Sequence, residues 1–236
     1  MIRGFFIHRQ QNYPRKQNIM IRIIDFKGAS MKSTFLAWIT RMPLIKRWSL
    51  MHSFREENIS EHSHMVAVIA HLICSVSNEY FGTNLNADKA STLALFHEIS
   101  ETKLQDLNSK TKYQTPEFTR QFKILEHIAE TECVNTLPEK LRRIYAPLII
   151  QDETDEEYRR IVKYADVIAA YVKTLEEQRF NNNEFAHVRQ TMHARVTEIC
   201  SQNPAVKMVV DTFISSCICS LDELTGIDRD NGFNGN

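Results

Sequence analysis

Between residues 33 and 223 the apolar residues recur at spacings of three and four, and strict alternation is nearly absent. A period near 3.6 marks amphipathic helices, so the chain is read as all-α. A first short helix spans 33–42 and stops near Pro43. Ser60, with Glu61 and Ser63 around it, suits the start of a long helix that Gly82 and the polar TNLN end after Phe81. Asn86 caps a helix over 87–102, and Pro116 opens another to Asn135 after a polar loop at 104–115. Pro138 opens the next helix. Thr154, followed by three acids, starts one whose Tyr158, Ile161, Ala165, Ile168, Val172 and Leu175 form an apolar seam. Helices over 184–201 and 204–223 complete the series. No internal repeat or interior boundary breaks residues 31–224, which are expected to form a single helical-bundle domain.

Composition narrows the class further. Six glycines and six prolines are too few for a collagen-like or turn-rich all-β chain. Five widely spread cysteines with no C-x-x-C pair argue against a zinc ribbon or a disulfide framework and suit a reducing cytoplasm. Lys+Arg and Asp+Glu are each 29, so no overall field draws the chain to a nucleic acid polymer or an anionic membrane. No run of 18 apolar residues predicts a membrane span. Residues 1–30 carry a net charge of +5. They are read as a poorly ordered extension or as sequence ahead of a start at Met31, with a basic nucleic-acid arm as the other reading. Residues 225–236 are expected to be a disordered tail.

The informative positions are polar residues on apolar faces. His62 shares a stripe with Val66, Ile69, Ile73 and Val76. His97 continues the stripe of Ala90, Leu93 and Ala94, with Glu98 beside it and Glu101 one helical turn on. Asp166 interrupts the apolar arc of Val162 and Ala169. Each alone has an ordinary explanation: a hydrogen-bonded core histidine, a solvated helix end, a buried partner for an arginine. Together they are two imidazoles and two or three carboxylates, a mixed N/O set suited to one divalent ion of the Mn, Fe, Co, Ni or Zn type.

This order of residues resembles the HD-domain metal-dependent phosphohydrolases, whose ligands run H…HD…D on a helical core. RMPLIKRWSLM (41–51), REENISEHS (55–63), the FHEISE region (96–101), LPEKLRRIYAPLI and YADVIAAYVKTLEE (164–177) are similar to the bacterial 5′-deoxynucleotidases within that group. The resemblance covers nearly all of residues 31–224. It implies that His62, His97, Glu98 and Asp166 hold the metal and that Glu101 orients or activates the attacking water. It further implies that Arg47, Trp48 and Asp106 line the sugar, with the indole leaving no room for a 2′-hydroxyl. The implied protein is a cytoplasmic homodimer that removes the 5′-phosphate from deoxyribonucleoside monophosphates.

Two departures are visible. The HD pair reads His97-Glu98 here, which lengthens a ligating carboxylate by one methylene, and a loss of geometric fit is expected. The loop that is rich in threonine, glycine and proline in the family reads LQDLNSKTKY at 104–113. Both features keep a second reading open, a degenerate HD protein that binds nucleotide with weak or no turnover. A purely structural helical adaptor is the third.

Overall fold

Phe35 begins helix α1 (Phe35–Ile39), which soon gives way to a 3-10 turn at Met42–Leu44 containing Pro43. Proline has no N–H for the helical ladder, so the chain turns there. The computed structural model describes residues 32–230. The expectations for residues 1–30 and 231–236 therefore lie outside the described residues.

Helix α2 (Ile59–Phe81) starts one residue before Ser60, the expected start. Asn58 caps it: its carboxamide oxygen accepts from the N–H groups of Ser60 and Glu61, and Glu61 reaches back to the Asn58 N–H. This reciprocal pair is a capping box. Gly82 ends the helix at φ 68°, a left-handed conformation that glycine adopts without a Cβ clash. Then come α3 (Ala87–Phe96), α4 (Glu101–Leu104), α5 (Ser109–Lys112), α6 (Pro116–Asn135) and α7 (Glu139–Ile149). Helix α8 (Glu156–Arg179) is capped by Asp155 and is followed by α9 (Ala186–Gln202), α10 (Pro204–Val209) and α11 (Leu221–Asp230). No strand forms among the described residues, and Lys46 and Asn58 make an isolated antiparallel bridge.

Helix α2 lies at the centre, packed on α3, α8 and α10. Ile73, Cys74, Ala90, Ile168 and Val206 are fully buried in the main core. Each large aliphatic side chain placed there contributes about 1.5–3 kcal/mol. Among the described residues, α2 alone passes by length and hydropathy for a membrane-crossing helix, but the helices packed along its face assign that apolarity to the core. A second cluster of Phe35, Ile99, Cys133, Val134, Leu137 and Ile149 joins α1, α6 and α7.

Three expectations need correction. The helix expected over 87–102 ends at Phe96, and residues 97–100 form a turn before α4. His97 causes the break, because its Nδ1 binds the Ala94 carbonyl at 2.7 Å and occupies the acceptor that the next helical N–H would use. The segment 204–223 is likewise not one helix. After α10 it loosens through a π-helical turn, Val210–Ile214, and a 3-10 turn, Ser215–Ile218, then extends at Cys219. Ser220 and Glu223 restart it with reciprocal hydrogen bonds, a capping box already legible as SLDE. Finally, α11 continues past residue 225 to Asp230, where a disordered tail was expected to have begun.

Candidate metal centre

Three elements converge near the centre of the molecule. His62 projects from the first turns of α2 and is fully buried. His97 and Glu98 sit in the turn after α3, and Asp166 lies midway along α8. One ligand atom from each of these four residues falls within 4.8 Å of all the others. His62 Nε2 lies 3.1 Å from Asp166 Oδ1, and His97 Nε2 lies 3.2 Å from Glu98 Oε1.

The donor set fits a divalent cation on two counts. Two atoms bound at about 2.1 Å to a common ion are at most about 4.2 Å apart, so the widest pair must draw in by only a few tenths of an ångström. His62 Nδ1 and His97 Nε2 are also buried with no hydrogen-bond donor or acceptor satisfying them. An orphaned buried nitrogen is costly. The Nδ1–H of His97, donated to the Ala94 carbonyl, leaves the Nε2 lone pair facing the cluster. The side chain of Gln151 donates to the His97 carbonyl at 3.1 Å and holds that turn from the far side. Glu98 reaches the cluster from the turn that follows α3.

The charges are arranged in a definite order. Burial alone would raise Glu98, but His97, a hydrogen bond with Glu101 and Arg47 outweigh it and hold the carboxyl well below its ordinary range. Glu101 goes the other way. Burial and the charge of Glu98 push it up to about 11, so it keeps its proton and shares it with Glu98. Its Oε2 is buried and unpartnered. Asp166 is held low by Lys163, whose Nζ is 2.7 Å from Oδ2, and by His62. His62 itself is pushed down by burial and Arg47.

Arg47 and Trp48 form one wall, and Asp106 stands opposite them after α4. Arg47 NH1 lies 3.7 Å from Glu98 Oε1. Burial pushes the Asp106 carboxyl up, opposed by Arg47 and the Trp48 backbone, and the Trp48 indole meets Phe185 edge-on at 5.5 Å. Trp48 has φ 56°, a left-handed conformation rare for a bulky residue. Across the cluster, a cleft of about 410 Å³ reaches His97, Glu98 and Asp166 between Lys112, Tyr113, Lys123 and Arg160. Here Gln105, next to Asp106, has φ 64° and ψ 167°, a region occupied essentially by glycine.

All eight residues singled out from the sequence thus lie in or around one site. Sequence reasoning missed Glu57. Its Oε2 accepts from both Arg47 Nε at 3.2 Å and Trp48 Nε1 at 2.9 Å, and the residue is only 8% exposed. It also missed the buried pair Lys173 and Glu177. The Glu177 carboxylate accepts the N–H groups of Phe54 and Arg55 and the side-chain amide of Asn182, and Lys173 Nζ binds the Arg55 carbonyl. The spacing of Lys173 and Glu177, four apart on α8, was a visible signal, but it does not distinguish a buried clamp from a solvated pair.

Comparison with known proteins places this arrangement. The family described as 5′-deoxynucleotidase YfbR-like matches residues 34–217. A 5′-deoxynucleotidase of Shewanella oneidensis is 41% identical over 192 residues, covering 81% of this chain and 97% of its own. The Escherichia coli 5′-deoxynucleotidase YfbR is 38% identical over 194 residues, 82% of this chain and 96% of its own. Among solved structures, an HD-domain phosphohydrolase of Listeria innocua superposes with a TM-score of 0.69 at 19% identity, covering 84% of this chain and 98% of its own. The HD phosphohydrolase DatZ of cyanophage S-2L, bound to dA and one catalytic Zn2+ ion, superposes at 0.56 and 15% identity, covering 77% and 95%. At such identities these two structures speak to the fold.

Proposed function

The chain belongs to the YfbR-like 5′-deoxynucleotidase family, and from that premise we propose that it is a metal-dependent phosphohydrolase that removes the 5′-phosphate from deoxyribonucleoside monophosphates. The observation that carries this reading is the convergence of His62, His97, Glu98 and Asp166, with His97 Nε2 orphaned among them. These four residues would hold one divalent ion of the Mn, Fe, Co, Ni or Zn class. When bound, such an ion acidifies a ligated water and polarises a phosphoryl oxygen.

The remaining work falls to the chain's own side chains. Glu101 lies beside Glu98 and presents an unpartnered Oε2. It can orient the attacking water and exchange a proton with it, the task of a general acid–base group. Arg47 is a buried, permanently charged guanidinium at the edge of the cluster. It offsets phosphate charge in a site that water reaches poorly, where a fixed cation is worth most. Trp48 and Asp106 face the sugar, Asp106 as an acceptor for a hydroxyl and Trp48 as the bulk that excludes a 2′-hydroxyl.

We read the protein as a cytoplasmic homodimer. All five cysteines are free thiols, as a reducing compartment would keep them. Ile124, Leu125 and Ile128 on α6 and Ile144 on α7 are exposed, and such apolar side chains suit an interface with a second copy.

The test is metal analysis of the purified protein followed by phosphate release from paired deoxy- and ribonucleoside monophosphates. We expect one divalent ion per chain and preference for the deoxy member of each pair. Glu101→Ala should keep the metal and lose activity by about 10²–10⁴-fold. Metal-replete protein that releases no phosphate from any deoxynucleotide would overturn the reading.

A further inference from the structure

Glu57 contributes to none of the steps above, yet it is the residue on which the sugar-facing wall converges. The segment before α2 folds back on itself: the Arg47 N–H donates to the Glu57 carbonyl at 2.9 Å, and the Ile59 N–H donates to the Ile45 carbonyl at 3.0 Å. That short antiparallel contact, with the Lys46–Asn58 bridge inside it, sets the Glu57 side chain against Arg47 and Trp48. One oxygen then accepts from both the guanidinium and the indole. The guanidinium carbon lies 5.8 Å from the indole ring centroid. Trp48 is held in a backbone conformation that costs about 1–3 kcal/mol unless its surroundings impose it. Its indole N–H is held by Glu57.

The geometry points to Glu57 as a positioning residue for substrate selection: its carboxylate fixes the Trp48 indole and the Arg47 guanidinium relative to one another, and discrimination between deoxyribose and ribose depends on that placement. The inference rests on Trp48 facing the sugar. A carboxylate is suited to the role because hydrogen bonds to an ionised acceptor are stronger than those to a neutral one. Without an acceptor the indole N–H would be half-buried and unsatisfied, and the ring would turn to find water.

Two variants and one spectrum test it. Glu57→Met keeps the volume and removes the acceptor, and Glu57→Gln keeps a neutral acceptor. For Glu57→Met the ratio of kcat/KM for dAMP over AMP should fall by about tenfold, and for Glu57→Gln by less. In the Trp48→Ala background Glu57→Met should leave the ratio unaltered, because the group it positions is gone. An equal fall in both backgrounds, or an unchanged ratio in folded Glu57→Met, overturns the proposal. If Glu57→Met does not fold, the Trp48 indole N–H resonance of Glu57→Gln, with no metal or substrate added, decides. It should move upfield while that of Trp38 stays, and an unmoved resonance overturns the proposal. Failure of the underlying reading looks different: Trp48→Ala alone would leave the ratio unchanged while the Glu57→Gln resonance still moved.

Discussion

The two walls of the site are built in different ways. The wall from Arg41 to Asn58 has little regular structure, yet buried polar groups, one of its own and two from α8, tie it down. Glu57 holds Arg47 and Trp48, and Lys173 with Glu177 grips the backbone of Phe54 and Arg55 across more than 100 residues of sequence. The facing wall, from Glu101 to Thr115, rests on local contacts: two single-turn helices, an Asn108 cap, a Lys112–Glu126 pair and a backbone kink at Gln105. A wall held by distant buried groups keeps one geometry. A wall held by nearer contacts, its own turns and pairs with α6, can change sequence with less penalty.

The largest effect should come from breaking the first wall. Lys173 is 3% exposed and Glu177 is fully buried. Lys173→Met leaves an uncompensated carboxylate and should cost about 3–5 kcal/mol in denaturant unfolding. A loss below about 1 kcal/mol would mean that Glu177 is satisfied by its backbone donors alone.

A pH-dependent change follows on the second side. Glu130 of α6 is 2% exposed and accepts the Gln151 N–H at 3.1 Å. Burial pushes its carboxyl up from an ordinary 4.5 to about 7. The folded chain therefore holds a proton that the unfolded chain releases, so this group's contribution is complete below about pH 4.5 and is lost as pH rises through about 7. Glu130→Gln should leave stability unchanged at pH 4 and raise it by up to about 3 kcal/mol at pH 8. Equal effects at both values would show that Glu130 does not titrate there.

Gln105→Gly should be smaller, a gain of about 1 kcal/mol, as relief of a glycine-type conformation is partly offset by the greater freedom of the unfolded chain. A loss in thermal unfolding would show that the Gln105 side chain makes up the strain. The same exchange at Trp48 should destabilise, since its indole is anchored by Glu57 and Phe185. That contrast sharpens the difference between the walls.

The residues of the cluster were legible in the sequence because a histidine or an aspartate on an apolar stripe is out of place there. His62, His97 and Asp166 each interrupt a helical pattern, and the resemblance joined them. The sequence also disclosed the seam of α8 and the proline that opens α6. It hid the break after Phe96, since Ala90, Leu93, Ala94 and His97 continue a regular spacing and only a side-chain hydrogen bond ends the helix. Glu57 and Lys173 were hidden for a related reason. A charged residue in a polar stretch looks solvated until the fold brings a distant donor or acceptor to it.

The grip of Lys173 and Glu177 on Phe54 and Arg55 also bears on traffic. To swing the Trp48 wall outward, the chain would have to drag a paired ammonium and carboxylate toward water and strip Glu177 of its backbone donors. That wall behaves as a doorpost. Nucleotide would then arrive, and nucleoside depart, on the opposite side, where the cleft between Lys112, Tyr113 and Arg160 reaches His97, Glu98 and Asp166.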